Sequence, residues 1–185
     1  ATVLGPVDGR IERVQRWVDE WEMTTVQQQE LWALVFDTHA EDAGVLYEAA
    51  IKCFTLHAGA DLAKSPELRA RIVKALVTTI RSPDLLRCDE LSKLGVLTQL
   101  EKDATYAPLH KLLGIMARGT YGDFLAFADD AANRKFMEGN DLAVAACGDK
   151  IRLLTLVSLS QESKELKYAD VATALRVDGA DVETW

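Results

Sequence analysis

Apolar side chains recur every three or four residues through almost the whole of this 185-residue chain, which is the spacing of one face of an α-helix. Ile11, Val14, Trp17, Val18 and Trp21 share one face of a first helix, with Glu12, Arg13, Arg16, Asp19 and Glu20 on the other. Tyr106, Leu109, Leu112, Leu113 and Met116 repeat that spacing position for position. Short helices of this kind cannot bury their apolar faces singly. Stacked one on the next they can, and the result is a helical-repeat superhelix. No strict sequence period accompanies the pattern, so what repeats is architecture. The expected fold is all-α, an α-solenoid.

Local signals place the boundaries. Thr24 or Thr25 caps a second helix, with Gln27 or Gln28 three residues on, and this helix carries Leu31, Leu34 and Val35 and ends near Asp37. A third helix is expected over about 42–58, burying Leu46, Ala49, Ala50, Cys53, Phe54 and His57 before Gly59. Ser65-Pro66-Glu67 reads as a helix start: a serine cap, a proline in the first turn and an early acid. Leu68, Ile72, Ala75, Leu76 and Thr79 form its core face, and Ser82-Pro83 stops it.

A shorter helix is expected over 85–94. Beyond Gly119 another helix carries Tyr121, Phe124, Leu125 and Ala128, and a turn is expected around Glu138-Gly139-Asn140. A long helix over about 141–160 offers Leu142, Ala145, Leu153, Leu154, Leu156 and Val157 to the core. Trp17, Trp21 and Trp32 are assigned to the core as well.

The last quarter changes character. Glu165-Leu166-Lys167-Tyr168 alternates like a strand, a short helix with Val171 and Leu175 follows, Asp178-Gly179 makes a turn, and Ala180-Asp181-Val182-Glu183 opens another helix. This order is the front half of a winged helix, a relative of helix-turn-helix. The expected division is helical repeats over 1–149 and the start of a winged-helix subdomain over 150–185. The chain begins at Ala1 without a methionine and stops at Trp185 within what reads as an unfinished helix, so it is taken as a piece of a longer protein.

The run Lys150-Ile151-Arg152-Leu153-Leu154-Thr155-Leu156, leading into Leu166-Lys167-Tyr168, Val171, Leu175 and Ala180-Asp181-Val182-Glu183, resembles the junction of a PCI domain. That module is shared by the proteasome lid, the COP9 signalosome and eukaryotic translation initiation factor 3. Within this group Val14-Gln15-Arg16-Trp17-Val18-Asp19-Glu20-Trp21, followed by Thr24-Thr25, is similar to the subunit M family of the initiation factor. The helix ending in Arg81-Ser82-Pro83-Asp84 has the place and character of the same family. Between Leu85 and Cys147 the likeness rests on helical pattern alone, and a COP9 signalosome subunit of the same architecture fits that stretch equally.

The resemblance implies a non-catalytic, cytoplasmic scaffold that joins its neighbours edge to edge through winged helices and holds no cofactor. The implied partners are other PCI and MPN subunits of initiation factor 3, on the small ribosomal subunit. Leu166, Tyr168, Asp181 and Glu183 would then lie at the winged-helix interface. A signalosome or proteasome-lid scaffold is the first alternative, and a free-standing adaptor that binds peptides in a concave groove is the second.

Charge narrows the choice of partner. A net charge of −8 is unlike the basic surface of nucleic-acid binders, and Ala180-Asp181-Val182-Glu183 is acidic where a recognition helix would meet phosphate. Direct nucleic-acid binding is not expected. Arg71, Lys74 and Arg81 nonetheless fall within about 80° of one another on a single helix. They form a candidate stripe for an acidic partner or an RNA phosphate, against the plainer reading of a solvated face.

Nothing in the sequence points to catalysis. His57 is read as a packed or capping histidine near a helix end, and His39 and His110 likewise. Asp129 and Asp130 are adjacent and point about 100° apart on a helix, so they form no local pair. Gly114, Gly119 and Gly122 do not fit GxGxxG, and neither GxSxG nor HExxH occurs. Cys53, Cys88 and Cys147 form no CxxC pair and are expected as buried free thiols. No catalytic, cofactor-binding or metal-binding residue is assigned. The apolar runs also fall short of the ~20 residues that a membrane span needs.

Overall fold

The computed structural model describes residues 10–39, 41–162, 166–178 and 182. Its helices are α1 (Arg10–Glu20), α2 (Thr25–Thr38), α3 (Ala43–Thr55), α4 (Pro66–Arg81) and the short α5 (Asp89–Ser92). A 3-10 helix (Gly95–Lys102) leads into α6 (Ala107–Arg118), α7 (Tyr121–Asp129), α8 (Ala131–Gly139), α9 (Val144–Glu162) and α10 (Tyr168–Leu175). No strand occurs among the described residues. Helix α2 packs on α3, α3 on α4, α4 on α6, α6 on α7, α7 on α8 and α9, and α9 on α10. Neighbours in sequence are thus neighbours in space. The fold is all-α and of helical-repeat type. No helix among the described residues is long and apolar enough to cross a membrane.

Several starts and stops are made by the residues that the local code nominates. Thr24 caps α2 by accepting from the Gln27 amide, while Gln27 returns the bond to the Thr24 amide. Asp42 caps α3 through the Val45 amide, and Thr120 and Asp123 form a second reciprocal box at α7. Helix α4 does begin at Pro66, but the Ser65 side chain makes no cap bond, so the fixed φ of proline is the signal that holds there. At the end of α6 the Gly119 amide donates to the Ile115 carbonyl at 2.7 Å. A Cβ on Gly119 would lie 2.8 Å from that same oxygen, which explains glycine at this position.

Three segments differ from expectation. The helix expected over 85–94 contracts to α5 and passes its apolar load to the 3-10 helix, where Val96, Leu97 and Leu100 are buried. Helix α8 fills the stretch before the turn expected around Glu138-Gly139-Asn140, because Asp130 caps the amides of Ala132 and Asn133 and Met137 is fully buried; the helix ends at Gly139 and the turn follows at Asn140 and Asp141. No strand forms over the described residues of 165–168. Lys167 precedes α10 and Tyr168 opens it, since Tyr168, Val171 and Leu175 carry helical spacing and no partner strand lies among the described residues. Glu165 lies outside them. Helix α9 runs unbroken across position 149/150, as does the long helix expected over about 141–160.

The core gathers Trp32, Phe36, Tyr47 and Phe54 near one end and Phe124, Phe127 and Ile151 nearer the other. Trp32 is core as expected, but Trp21 is 64% exposed and stacks on the half-buried Trp17 at 5.8 Å between ring centroids. Leu34 is also turned outward, at 63% exposed. It sits two residues from both Trp32 and Phe36, about 200° around the helix from each, so burying those two rings exposes it.

Candidate functional site

Helix α9 meets its neighbours with an unexpected face. Cys147, Gly148, Lys150, Ile151 and Thr155 are buried, whereas Ala145, Leu153 and Val157, expected in the core, are exposed. Leu154 and Leu156 are half-buried, and Leu142 is buried just before the helix begins. The reason is close packing. Gly148 lies against Phe124 and Tyr121 of α7, where a Cβ would already sit 3.4 Å from the Phe124 ring. Small side chains admit the two helices to each other, and the larger aliphatics are carried round to the outside.

Lys150 is 3% exposed, and its Nζ donates to the carbonyls of Thr79 at 2.6 Å and Ser82 at 2.7 Å. These are orphan carbonyls at the C-terminus of α4, where a cation also suits the helix dipole. Burial pulls the Lys150 ammonium below the usual lysine value, and Asp84, with Cys88 and Cys147 once they ionise, pulls the other way. The sequence reading assigned Lys150 no role. Its only sequence signal is a lysine at helical spacing between Cys147 and Leu154, on a face that is otherwise apolar.

The outward Val157 and the half-buried Leu154 of α9 line a cleft of about 350 Å³ between α9, the C-terminus of α6 and the residues after α4. Leu86, Met116, Leu154 and Val157 supply its apolar lining, and Asp89 and Arg118 its charges. Further along the chain, Leu166 is 40% and Tyr168 59% exposed. Asp181 and Glu183, the other two expected interface positions, lie outside the described residues.

The basic stripe is largely spoken for. Arg71 donates from Nε and Nη2 to Asp37 of α2, with a shortest contact of 2.8 Å, and this hydrogen bond raises its pKa further. Arg81 donates to the Asn140 carbonyl and lies 3.5 Å from the Asp141 carboxylate. Lys74 is exposed, and no ion pair engages it among the described residues. The three therefore share one helix, and among the described residues only Lys74 of them has no internal partner.

The reactive residue types are quiet. His57 Nδ1 bonds the Cys53 carbonyl at 2.8 Å, and His39 Nδ1 the Val35 carbonyl at 3.0 Å; both serve helix ends. Cys53 stands one turn before His57, a ligand-type spacing present in the sequence, with Sγ 4.0 Å from Nδ1. Burial pushes the Cys53 and Cys147 thiols up to about 11 and raises that of Cys88 as well, so all three stay protonated and weakly nucleophilic. No group of three or more metal-ligating side chains is assembled among the described residues. What the surface offers is apolar contact.

No family model matches the chain. Individual relatives do. The chain is 28% identical over 181 residues to the initiation factor 3 subunit M of Schistosoma japonicum, covering 98% of this chain and 45% of that protein. It is 32% identical over 176 residues to that of Neosartorya fischeri, covering 91% of this chain and 36% of the relative. The chain is similar to eukaryotic translation initiation factor 3 subunit M. The subunit M of Nematostella vectensis gives 24% identity over 188 aligned positions, 99% of this chain and 46% of its own length. Alignments of this reach take in the stretch between Leu85 and Cys147, where residue pattern alone had carried the resemblance. The chain spans less than half the length of these subunit M relatives.

Proposed function

We propose that this chain is the helical-repeat part of a non-catalytic scaffold subunit of eukaryotic translation initiation factor 3, acting in the cytoplasm. Similarity to subunit M across nearly the whole chain carries the reading. In this role the repeats over 1–149 project a surface, and the segment from 150 onward begins a winged helix through which the subunit joins other PCI and MPN subunits on the small ribosomal subunit. Two observations support an assembly face near the C-terminal end: the outward Leu153 and Val157 on α9, and the exposed Leu166 and Tyr168 before and within α10. Large aliphatic and aromatic side chains grouped on a surface are characteristic of interface cores. Lys74 is the member of the basic stripe best placed for an acidic partner, because Arg71 and Arg81 are already engaged.

The test is to tag the full-length protein and identify what co-purifies at moderate salt by mass spectrometry. Initiation factor 3 subunits together with small-subunit ribosomal proteins are expected. Recovery of signalosome or proteasome-lid subunits instead would move the protein to another assembly, and recovery of no stable partner would overturn the scaffold role.

A further inference from the structure

A second surface lies at the other end of the repeats, independent of the assembly proposed above. Helices α2 and α4 both pack on α3, and between them runs a cleft of about 480 Å³. On α2, Val26, Glu30 and Leu34 follow one another at four-residue spacing, so they form a single outward stripe. Val26 is 61% and Leu34 63% exposed, and rise per residue puts them about 12 Å apart. Two large aliphatic side chains held in water on one helix face are available for a partner to cover.

The charges of the cleft select the partner. Asp37 and Arg71 bridge α2 and α4 and neutralise each other. Glu30 and Glu67 remain as lining carboxylates, and neither forms an ion pair among the described residues. Phosphate is repelled by such a site. A second copy of the chain docking symmetrically on the same patch would set these carboxylates against their own equivalents.

We infer that the α2–α4 cleft is a docking site for a basic amphipathic helix of a partner protein. Two apolar anchors seven or eight residues apart on that helix match the Val26–Leu34 separation. Lysine or arginine on the same side meets Glu30 and Glu67.

The experiment places the photo-crosslinker p-benzoylphenylalanine at Leu34 of the full-length protein, irradiates it in cells, and maps the joined peptide by mass spectrometry. The adduct is expected within a lysine- or arginine-rich segment of helical apolar spacing in another protein. Glu30→Lys combined with Glu67→Lys is expected to lower its yield at least fivefold with helicity unchanged. If that reversed protein loses helicity, Val26→Ser with the same crosslinker takes its place, with the same fall expected. No adduct, an adduct to RNA, to a second copy or to an acidic segment, or a yield indifferent to these variants overturns the site. Co-purification of initiation factor subunits is a separate result, and it can fail or succeed without changing this one.

Discussion

The Lys150 ammonium sits 2.6 Å from the Thr79 carbonyl, joining the first turns of α9 to the last turn of α4 across 71 residues of chain. With the second bond to Ser82 it caps α4 from a distant helix, where no nearby side chain does so. A buried cation is costly to desolvate, and here it is held by two carbonyls, the buried one of Thr79 and the part-buried one of Ser82.

Removing that cap leaves both carbonyls behind. Lys150→Met keeps most of the side-chain volume and is expected to destabilise the fold by about 1–3 kcal/mol. Urea denaturation followed by circular dichroism checks this. An unchanged midpoint would show that water replaces the ammonium at no loss.

Gly119 is the tightest glycine among the described residues. A methyl group added there meets backbone atoms of Ile115 at 2.8 and 2.9 Å, and backbone cannot swing aside as a side chain can. Gly119→Ala is expected to cost about 1–3 kcal/mol. Gly114, with open space around its Cβ position, is the control: Gly114→Ala is expected to be neutral or stabilising. Equal effects at both positions would contradict the packing.

The buried thiols make stability fall at alkaline pH. In the unfolded chain Cys53 and Cys147 ionise near 9.0, whereas burial holds them near 11 in the folded state. Between these values the unfolded state releases protons that the folded state keeps, so rising pH favours unfolding by about 1.4 kcal/mol per unit per thiol. Lys150 works in the opposite sense. Its lowered pKa lets the folded state shed a proton first, which offsets part of the loss. Unfolding free energies measured from pH 8.5 to 10.5 are expected to drop more steeply in the native protein than in Cys53→Ala/Cys147→Ala, and parallel slopes would refute the assignment.

The two faces of α9 are expected to respond differently. Ile151→Ala removes a fully buried side chain and is expected to cost about 2–5 kcal/mol. Leu153→Ser with Val157→Ser alters only outward positions and is expected to shift stability by about 0.5 kcal/mol or less for each change. The double variant is nonetheless expected to lose partner subunits on co-purification. Retention of every partner would remove this face from the interface.

Helix class, most helix starts and much of the core were legible in the residues, because the information is confined to a turn or two. The Thr24 box with Gln27, the Asp42 cap and the Leu68 to Thr79 face each involve residues at most four apart from the next. Helix α8 was missed because Gly139 and Asn140 masked a capped helix that ends on them. Of the candidate contact residues, periodicity placed Arg71 and Arg81 on a polar face but could not reveal Asp37 and Asp141 facing them from other elements.

By itself, then, the sequence determined that short amphipathic helices succeed one another, and its ends and middle alike carry similarity to subunit M. Only the tertiary structure decided which side of α9 turns inward, that Lys150 is a cap, and that Val26 and Leu34 face a cleft. Helical spacing is a property of one segment and can be read along it. The choice between two apolar faces depends on which helix packs against the segment, as α7 does against α9 beside Gly148, and that partner is brought in by the fold.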